Sequence, residues 1–545
     1  MRYVAWVLVL FNLCCLANEE TLTIGKRSEA STATVLERID ADIQAKLAEA
    51  TVPASPQCSD AEFIRRATLD INGTLPTVER VKAFLADKNQ HKREALVDEL
   101  VNDSDYGDYF AAIWFDLLVN PNDDNRNLIS HEFEPWLAEQ FNANKSWDKI
   151  VTSILTAEGK RDENPATVFW FANSDMNAKP AHVKTADAVG KITQRFLGTQ
   201  FQCAECHDHP FTPLKQTDFW GTAAFFGALS LKDAQKKMVK ADGNPGLSEK
   251  SDKGKRGVID IPDSKNDTAK TQYPDGTPFD ASTANGSLRT IFAKWCTAPE
   301  NEQFSRAMAN RMWAHFCGRG FVMPVDDFRK NNKPTHPEAL DALAQDFTAS
   351  GFDLKHLVRR ICATQAYQRS SETLPANAND TGLFSHAPLK MLTASVLESS
   401  LEQSLGNEFT AANARGKGNR PNAAANGKAK KKAGGKKAAL GSPFEQAFAT
   451  SEEPDDPEYS HGVPQVLQLM NGGHLAGSAL LKSVGQATTA KEAIEHLYLS
   501  TLSRPPSDKE ATRMQTFVDG AATKTAGYQG VLWALLNSSE YVLNH

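Results

Sequence analysis

The sequence predicts a mainly α-helical protein with two helical domains, a small β-containing junction and a disordered basic insertion. Three observations support this fold class. Apolar residues recur at helical spacing along most of the chain, helix-starting and helix-ending residues separate these segments, and residues 257–262 form the one convincing strand candidate. The 545 residues exceed one ordinary domain, and 41% apolar with 23% charged residues is typical of a globular protein.

The first predicted domain covers residues 34–230 and consists of short amphipathic helices. Apolar residues from Val35 to Leu47 recur at helical spacing, and Pro53 ends that helix. A capping box at residues 59–62 begins the next helix, which Asn72-Gly73 ends. Further helices are predicted over residues 78–85, 92–101, 109–118, 133–141, 147–156, 185–196 and 219–229.

A junction over residues 231–285 precedes the second predicted domain, residues 286–545. The junction is rich in Lys, Asp, Gly and Pro and includes the strand candidate. Within the second domain, residues 411–439 contain nine basic and no acidic residues among Ala, Gly and Asn, which predicts a disordered insertion. Helices are predicted from residue 288 and over residues 304–316, 336–350, 354–366, 389–405, 463–469, 472–481, 491–502, 508–519 and 528–536.

The N-terminus has the features of a secretory signal peptide, residues 1–17. Arg2 precedes an apolar run, and small residues lead to a cleavage point after Ala17. The apolar stretch of this signal peptide is about 14 residues, which is short against the roughly 20 that a membrane span needs. No transmembrane segment is expected beyond the signal peptide. The sequence therefore predicts a secreted protein of the periplasm or cell surface. Its net charge of −7 gives no indication of nucleic-acid binding.

The most informative functional motif is C-x-x-C-H at residues 203–207. On one helical turn, two thiols can add to the haem vinyl groups while the imidazole reaches the iron. This predicts one covalent haem c, attached through Cys203 and Cys206, with His207 as the proximal iron ligand. Asp208 is a local candidate for the acceptor that holds the other ring nitrogen of His207.

The same residues also fit two other hypotheses. Cys203, Cys206, His207 and His209 are four potential zinc or iron ligands within seven residues, which would suit a metal-dependent hydrolase. A Cys203–Cys206 disulfide would instead suit a non-redox interaction protein of the cell surface. Simultaneous coordination by the adjacent Cys206 and His207 is cramped, and this favours haem. His209 is too close in sequence to reach the opposite face of a haem bound by His207.

Several polar residues and thiols in apolar surroundings are predicted to be structural. Arg65, Arg66 and Asp70 belong to one apolar segment, where buried ion pairing explains them better than catalysis. Four isolated cysteines are expected either to form two disulfides or to remain buried thiols: Cys58, Cys296, Cys317 and Cys362. No motif identifies a particular catalysed reaction.

Beyond these residues, the sequence resembles the secreted planctomycete-type cytochrome-like proteins. These join a cytochrome-like domain of unknown function to a second conserved C-terminal domain. The resemblance implies this two-domain architecture and the cytochrome-like label, but it does not identify a catalysed reaction. The expected partner is a redox partner or a cell-surface polymer. It rests on residues 65–77, 114–116, 196–211, 218–226, 310–328, 335–338, 351–354, 367–370, 469–472, 503–506 and 535–541.

Overall fold

The protein is mainly α-helical, as predicted, with 21 helices and a few short strands among the described residues. The computed structural model describes residues 29–119, 126–176, 178–208, 214–232, 246–250, 256–262, 264, 267–406, 478–487 and 489–545. The predicted signal peptide, the basic insertion and the predicted helix over residues 463–469 lie outside this set. Among the described residues, no helix combines the length and the apolar character that a membrane span requires.

The second helix of the first predicted domain begins and ends at residues with clear capping roles. The hydroxyl of Ser59 accepts the N–H of Glu62 at 3.1 Å. Gly73, with φ +65°, ends the same helix where an added Cβ would meet the ring of Tyr109 at 2.4 Å. The helices are α1 (Glu29–Ala50), α2 (Asp60–Asn72), α3 (Val78–Ala86), α4 (Lys92–Val101), α5 (Ser104–Leu118), α6 (Arg126–Asn142), α7 (Trp147–Leu155), α8 (Val168–Ala172), α9 (Thr185–Leu197) and α10 (Gln216–Ala223).

The β structure consists of short antiparallel strands that extend beyond the predicted junction. The strand candidate is confirmed as β6 (Val258–Asp260), which pairs with β7 (Thr268–Lys270). A three-stranded sheet has the order β1 (Gly159–Lys160), β5 (Gly246–Glu249) and β4 (Leu229–Lys232). A further pair joins β2 (Ser174–Asp175) to β3 (His182–Val183).

The second predicted domain continues with helices from residue 288 onward. One further strand pair, β8 (Lys390–Met391) with β9 (Leu543–Asn544), brings the last residues against the middle of the domain. The helices are α11 (Leu288–Cys296), α12 (Glu302–Cys317), α13 (Pro337–Ala349), α14 (Leu354–Ala363), α15 (Gln365–Gln368), α16 (Ala394–Leu405), α17 (Ala479–Val484), α18 (Ala490–Leu502), α19 (Asp508–Gly520), α20 (Lys524–Leu536) and α21 (Ser539–Val542).

Two predicted helix boundaries are wrong for the same physical reason. The helix expected over residues 219–229 ends at Ala223, and Leu229 instead begins β4. The helix expected over residues 389–405 begins at Ala394, because residues 390–391 pair with β9. In both places, strand pairing with distant residues overrides the local helical spacing of apolar side chains.

Two apolar cores organise the described residues. The larger core extends from Ile39 in α1 to Leu499 in α18 and combines helices of both predicted domains. The smaller core combines α16–α21 with Leu69 and Leu75 of the first domain. Helix α2 therefore lies between the cores, with Phe63 in the larger and Leu69 in the smaller.

Helix α2 carries buried charged residues that join the cores. Arg65 is 0% exposed. Its guanidinium donates to the carbonyl oxygens of Thr501 at 3.0 Å and of residues 540, 541 and 543 at 3.0, 2.9 and 3.2 Å. Burial lowers the pKa of Arg65 to about 10, so this side chain stays charged at neutral pH. Arg66 pairs with Glu62 at 2.5 Å and donates to the carbonyl of Tyr367 at 2.6 Å.

Asp70, one turn further along α2, receives three hydrogen bonds. Lys390 Nζ and Asn544 Nδ2 donate to Oδ1 at 2.5 and 2.7 Å, and the Tyr367 hydroxyl donates to Oδ2 at 3.0 Å. All three side chains are buried, as predicted, but the expected ion pairing takes another form. Asp70 pairs with Lys390 of the second domain, whereas Arg65 binds backbone carbonyls and Arg66 pairs with Glu62 of its own helix.

Replacing Arg65 with Ala is expected to lower the free energy of unfolding by about 3 kcal/mol or more. Several carbonyl groups would lose their donor, and each buried group without a partner costs roughly 1–3 kcal/mol. Denaturant titration followed by circular dichroism measures this loss. The control is Arg513→Ala on the exposed side of α19, which should change stability by less than about 0.5 kcal/mol. Equal effects of the two variants would contradict the proposed role of Arg65.

A second buried contact attaches the loop after α9 to the second domain. Asp326 is 1% exposed and lies 3.0 Å from Arg195 Nη1. Its carboxylate also accepts a hydrogen bond from Gln200 Nε2 at 3.2 Å and lies 3.6 Å from Arg311 Nη2. Next to it, Phe328 N–H donates to the carbonyl of Gly198 at 2.9 Å. The loop is thus fixed by backbone and side-chain contacts from the opposite domain.

Removing this carboxylate by Asp326→Ala is expected to destabilise the protein by about 3 kcal/mol, because the largely buried guanidinium of Arg195 would lose the charge that it contacts at 3.0 Å. The matched control is Asp341→Ala, which breaks the more exposed pair with Arg306 at 3.3 Å and should cost less than about 1 kcal/mol. Denaturant unfolding of both variants provides the comparison. A loss for Asp326→Ala no larger than for the control would show that the contact contributes little.

Candidate functional site

The C-x-x-C-H residues form an exposed turn between α9 and α10. Gly198, with φ +62°, ends α9, and residues 202–204 form a 3₁₀ turn that continues in helical conformation at Glu205. The side chains of Cys203, Cys206 and His207 are exposed, and both thiols are free. The buried Phe201 and Ala204 hold the inner side of the turn. Cys203 lies in the 3₁₀ turn and Cys206 two residues beyond it, and both thiols face solvent.

Helix α10 fixes the backbone of this turn. Gln216 Nε2 donates to the carbonyls of Glu205 and Cys206 at 3.0 and 3.1 Å. Trp220 Nε1 donates to the same Glu205 carbonyl at 3.0 Å. The carboxylate of Asp208 accepts the backbone N–H of Gln216 at 2.9 Å. These contacts satisfy backbone groups near the cysteines and leave the cysteine side chains directed to solvent.

His207 has a defined tautomer because of its neighbour. Its Nδ1 lies 2.8 Å from the backbone carbonyl oxygen of Asp208. A carbonyl oxygen can only accept, so Nδ1 carries the proton and Nε2 of the neutral ring keeps a free lone pair. This is the arrangement that a metal-ligating histidine requires. The acceptor is the main-chain oxygen of Asp208, while its carboxylate binds the start of α10.

Acidic and basic side chains flank the turn. Burial and the neighbouring Asp187 raise the pKa of the Glu205 carboxyl. Arg329 of the second domain is paired with Asp327.

The remaining predicted ligands and cysteines are only partly covered by the structure. His209, the alternative metal ligand, lies outside the described residues. Among the described residues, no group of three or more His, Cys, Asp or Glu side chains is close enough to hold a metal ion. The four other cysteines are buried free thiols, and the disulfide alternative for them is not observed: Cys58, Cys296, Cys317 and Cys362.

Sequence reasoning did not identify the residues that hold the turn. Gln216 and Trp220 lie in the helix that follows the motif. This proximity in sequence was the available sign that their side chains could contact the turn. Asp326 is more than a hundred residues away, and only the folded chain brings it to Gln200.

The donor set fits a c-type haem: two free thiols on one turn and an imidazole whose Nε2 can bind iron.

Comparison with known proteins identifies two domain families in this order. Residues 38–230 match PSCyt2, described as a protein of unknown function (DUF1549), and residues 288–518 match PSD1, described as a protein of unknown function (DUF1553). No curated protein and no solved structure matches the chain. The chain therefore belongs to the planctomycete-type proteins in which a PSCyt2 domain is followed by a PSD1 domain.

Proposed function

We propose that this is a secreted c-type haem protein that serves redox chemistry in the periplasm or at the cell surface. Cys203 and Cys206 would hold the haem covalently, and His207 would bind its iron. The observation that carries this proposal is the hydrogen bond from His207 Nδ1 to the Asp208 carbonyl, next to two exposed free thiols. When bound, haem c supplies one-electron transfer at its iron.

The chain's own residues have distinct roles in this proposal. Gln216 and Trp220 fix the carbonyls of the turn, so that the two thiols keep their relative positions. Asp208 orients the imidazole through its carbonyl oxygen and keeps the proton on Nδ1. Asp326 fixes the preceding loop through Gln200. Together they pre-organise an attachment site before any cofactor is present.

The exposed position of the turn favours electron exchange with a partner protein over reactions in an enclosed site. The two cysteines and His207 all face solvent on the described surface. The loop that leads to them is held by the second domain, since Asp326 accepts a hydrogen bond from Gln200. We therefore infer that a redox partner would dock at this surface and contact the second domain as well as the turn.

Co-expression with a haem-maturation system is expected to yield a protein whose intact mass includes one covalent haem and whose visible spectrum has a Soret band. Cys203→Ala with Cys206→Ala should abolish covalent attachment, because both thioether bonds are lost. His207→Ala should shift the Soret band or abolish haem retention, because the axial imidazole is removed. Intact-mass spectrometry and absorption spectra measure these outcomes.

Gln202→Ala is the matched control, since Gln202 is exposed on the same turn and supplies no ligand. It should retain haem at the level of the unmodified protein. Unmodified protein without covalent haem under these conditions would refute the proposal. Thiol titration and metal analysis of that sample would then separate a Cys203–Cys206 disulfide in an interaction protein from a metal site at Cys203, Cys206, His207 and His209.

A further inference from the structure

A cavity of about 380 Å³ lies between α5 of the first domain and α12 of the second. Its volume is in the lower part of the range, roughly 300–1,000 Å³, of small-molecule sites. The walls are mainly apolar and aromatic, with a few polar groups. The lining residues that matter here are Tyr109, Phe110 and Trp114 from α5, and Arg311, Ala314 and His315 from α12.

His315 lines this cavity and has one ring nitrogen that can accept a hydrogen bond. Its Nε2 lies 2.8 Å from the backbone carbonyl of Asp70, so Nε2 carries the ring proton. Burial lowers the pKa of His315, which keeps the ring neutral and leaves Nδ1 as an acceptor at neutral pH. The rings of Tyr109 and Phe110, at 5.8 and 5.5 Å, hold the imidazole in place. A ligand beside His315 Nδ1 must therefore donate a hydrogen bond.

The charges around the cavity favour an uncharged ligand. Asp116 and Arg311 both line it and carry opposite charges. Arg311 is also 3.6 Å from the carboxylate of Asp326, which partly neutralises its guanidinium. An anion would gain little from a cation that is already paired, and a cation would meet Arg311 within the same small space.

We propose that this interdomain cavity binds an uncharged aromatic compound of the phenol class. The ring would lie against Tyr109, Phe110 and Trp114, where aromatic side chains favour stacked or edge-to-face contacts. The hydroxyl would donate to His315 Nδ1. This cavity is separate from the turn that carries Cys203 and Cys206, and the proposal does not depend on haem attachment.

The test is a ligand-observed NMR titration of the full-length chain with 4-methylphenol and with toluene. Toluene has the same ring and methyl group, fits wherever 4-methylphenol fits, and lacks the donor. We expect 4-methylphenol to bind about three- to tenfold more tightly, the effect of one neutral hydrogen bond. Equal affinity for the two compounds, or binding of neither at millimolar concentration, would overturn the proposal.

Two variants locate the binding. Ala314→Leu fills the cavity wall and should abolish binding of both compounds, whereas Ala511→Leu, at a partly buried position in α19 away from the cavity, should leave binding unchanged. His315→Phe keeps an aromatic ring but removes the acceptor, so the affinity for 4-methylphenol should fall to that for toluene. Unchanged binding to Ala314→Leu would place the compound elsewhere and contradict the proposal. Thermal melting shows whether His315→Phe folds. If it does not fold, binding to Ala314→Leu alone tests whether the compound occupies the cavity.

Discussion

The structure depends on the burial of charged side chains in α2 between two apolar cores. A buried guanidinium is costly unless its donors are satisfied. Arg65 Nη1 and Nη2 find their acceptors among carbonyls of α18 and of the last residues of the chain, while its buried Nε has none among the described residues. Asp70 likewise receives donors from residues 367, 390 and 544. Because these partners belong to the second domain, α2 reaches its low-energy environment only when both domains are assembled around it.

This dependence explains which parts of the fold could be predicted from the sequence. The bounds of α2 follow from Ser59 and Gly73, since capping and a left-handed glycine act within a few residues. The strand at Leu229 and the later start of α16 could not be predicted, because each results from pairing with residues distant in sequence. The apolar sequence around Arg65 indicated burial, yet gave no means of identifying the carbonyls that it binds.

The same division applies to the candidate site. The spacing of Cys203, Cys206 and His207 predicted one turn with two thiols and an imidazole, and residues this close in sequence are constrained by local geometry. The proton position on His207 required the structure, because it is set by the carbonyl of Asp208 and not by the residue types. The contribution of Asp326 was also outside the reach of local patterns, since its partners Arg195 and Gln200 belong to another domain.

Asp326 also contacts residues next to both candidate sites, the turn that carries Cys203 and Cys206 and the cavity between α5 and α12. Through Gln200 it fixes the loop that leads to Cys203, and at 3.6 Å it faces Arg311, which lines the cavity. One buried carboxylate therefore constrains elements of both sites. The turn lacks its loop support without the second domain, and the cavity lacks one wall without α12. Both candidate sites are consequently properties of the assembled pair of domains, which accounts physically for a body much larger than either site alone requires.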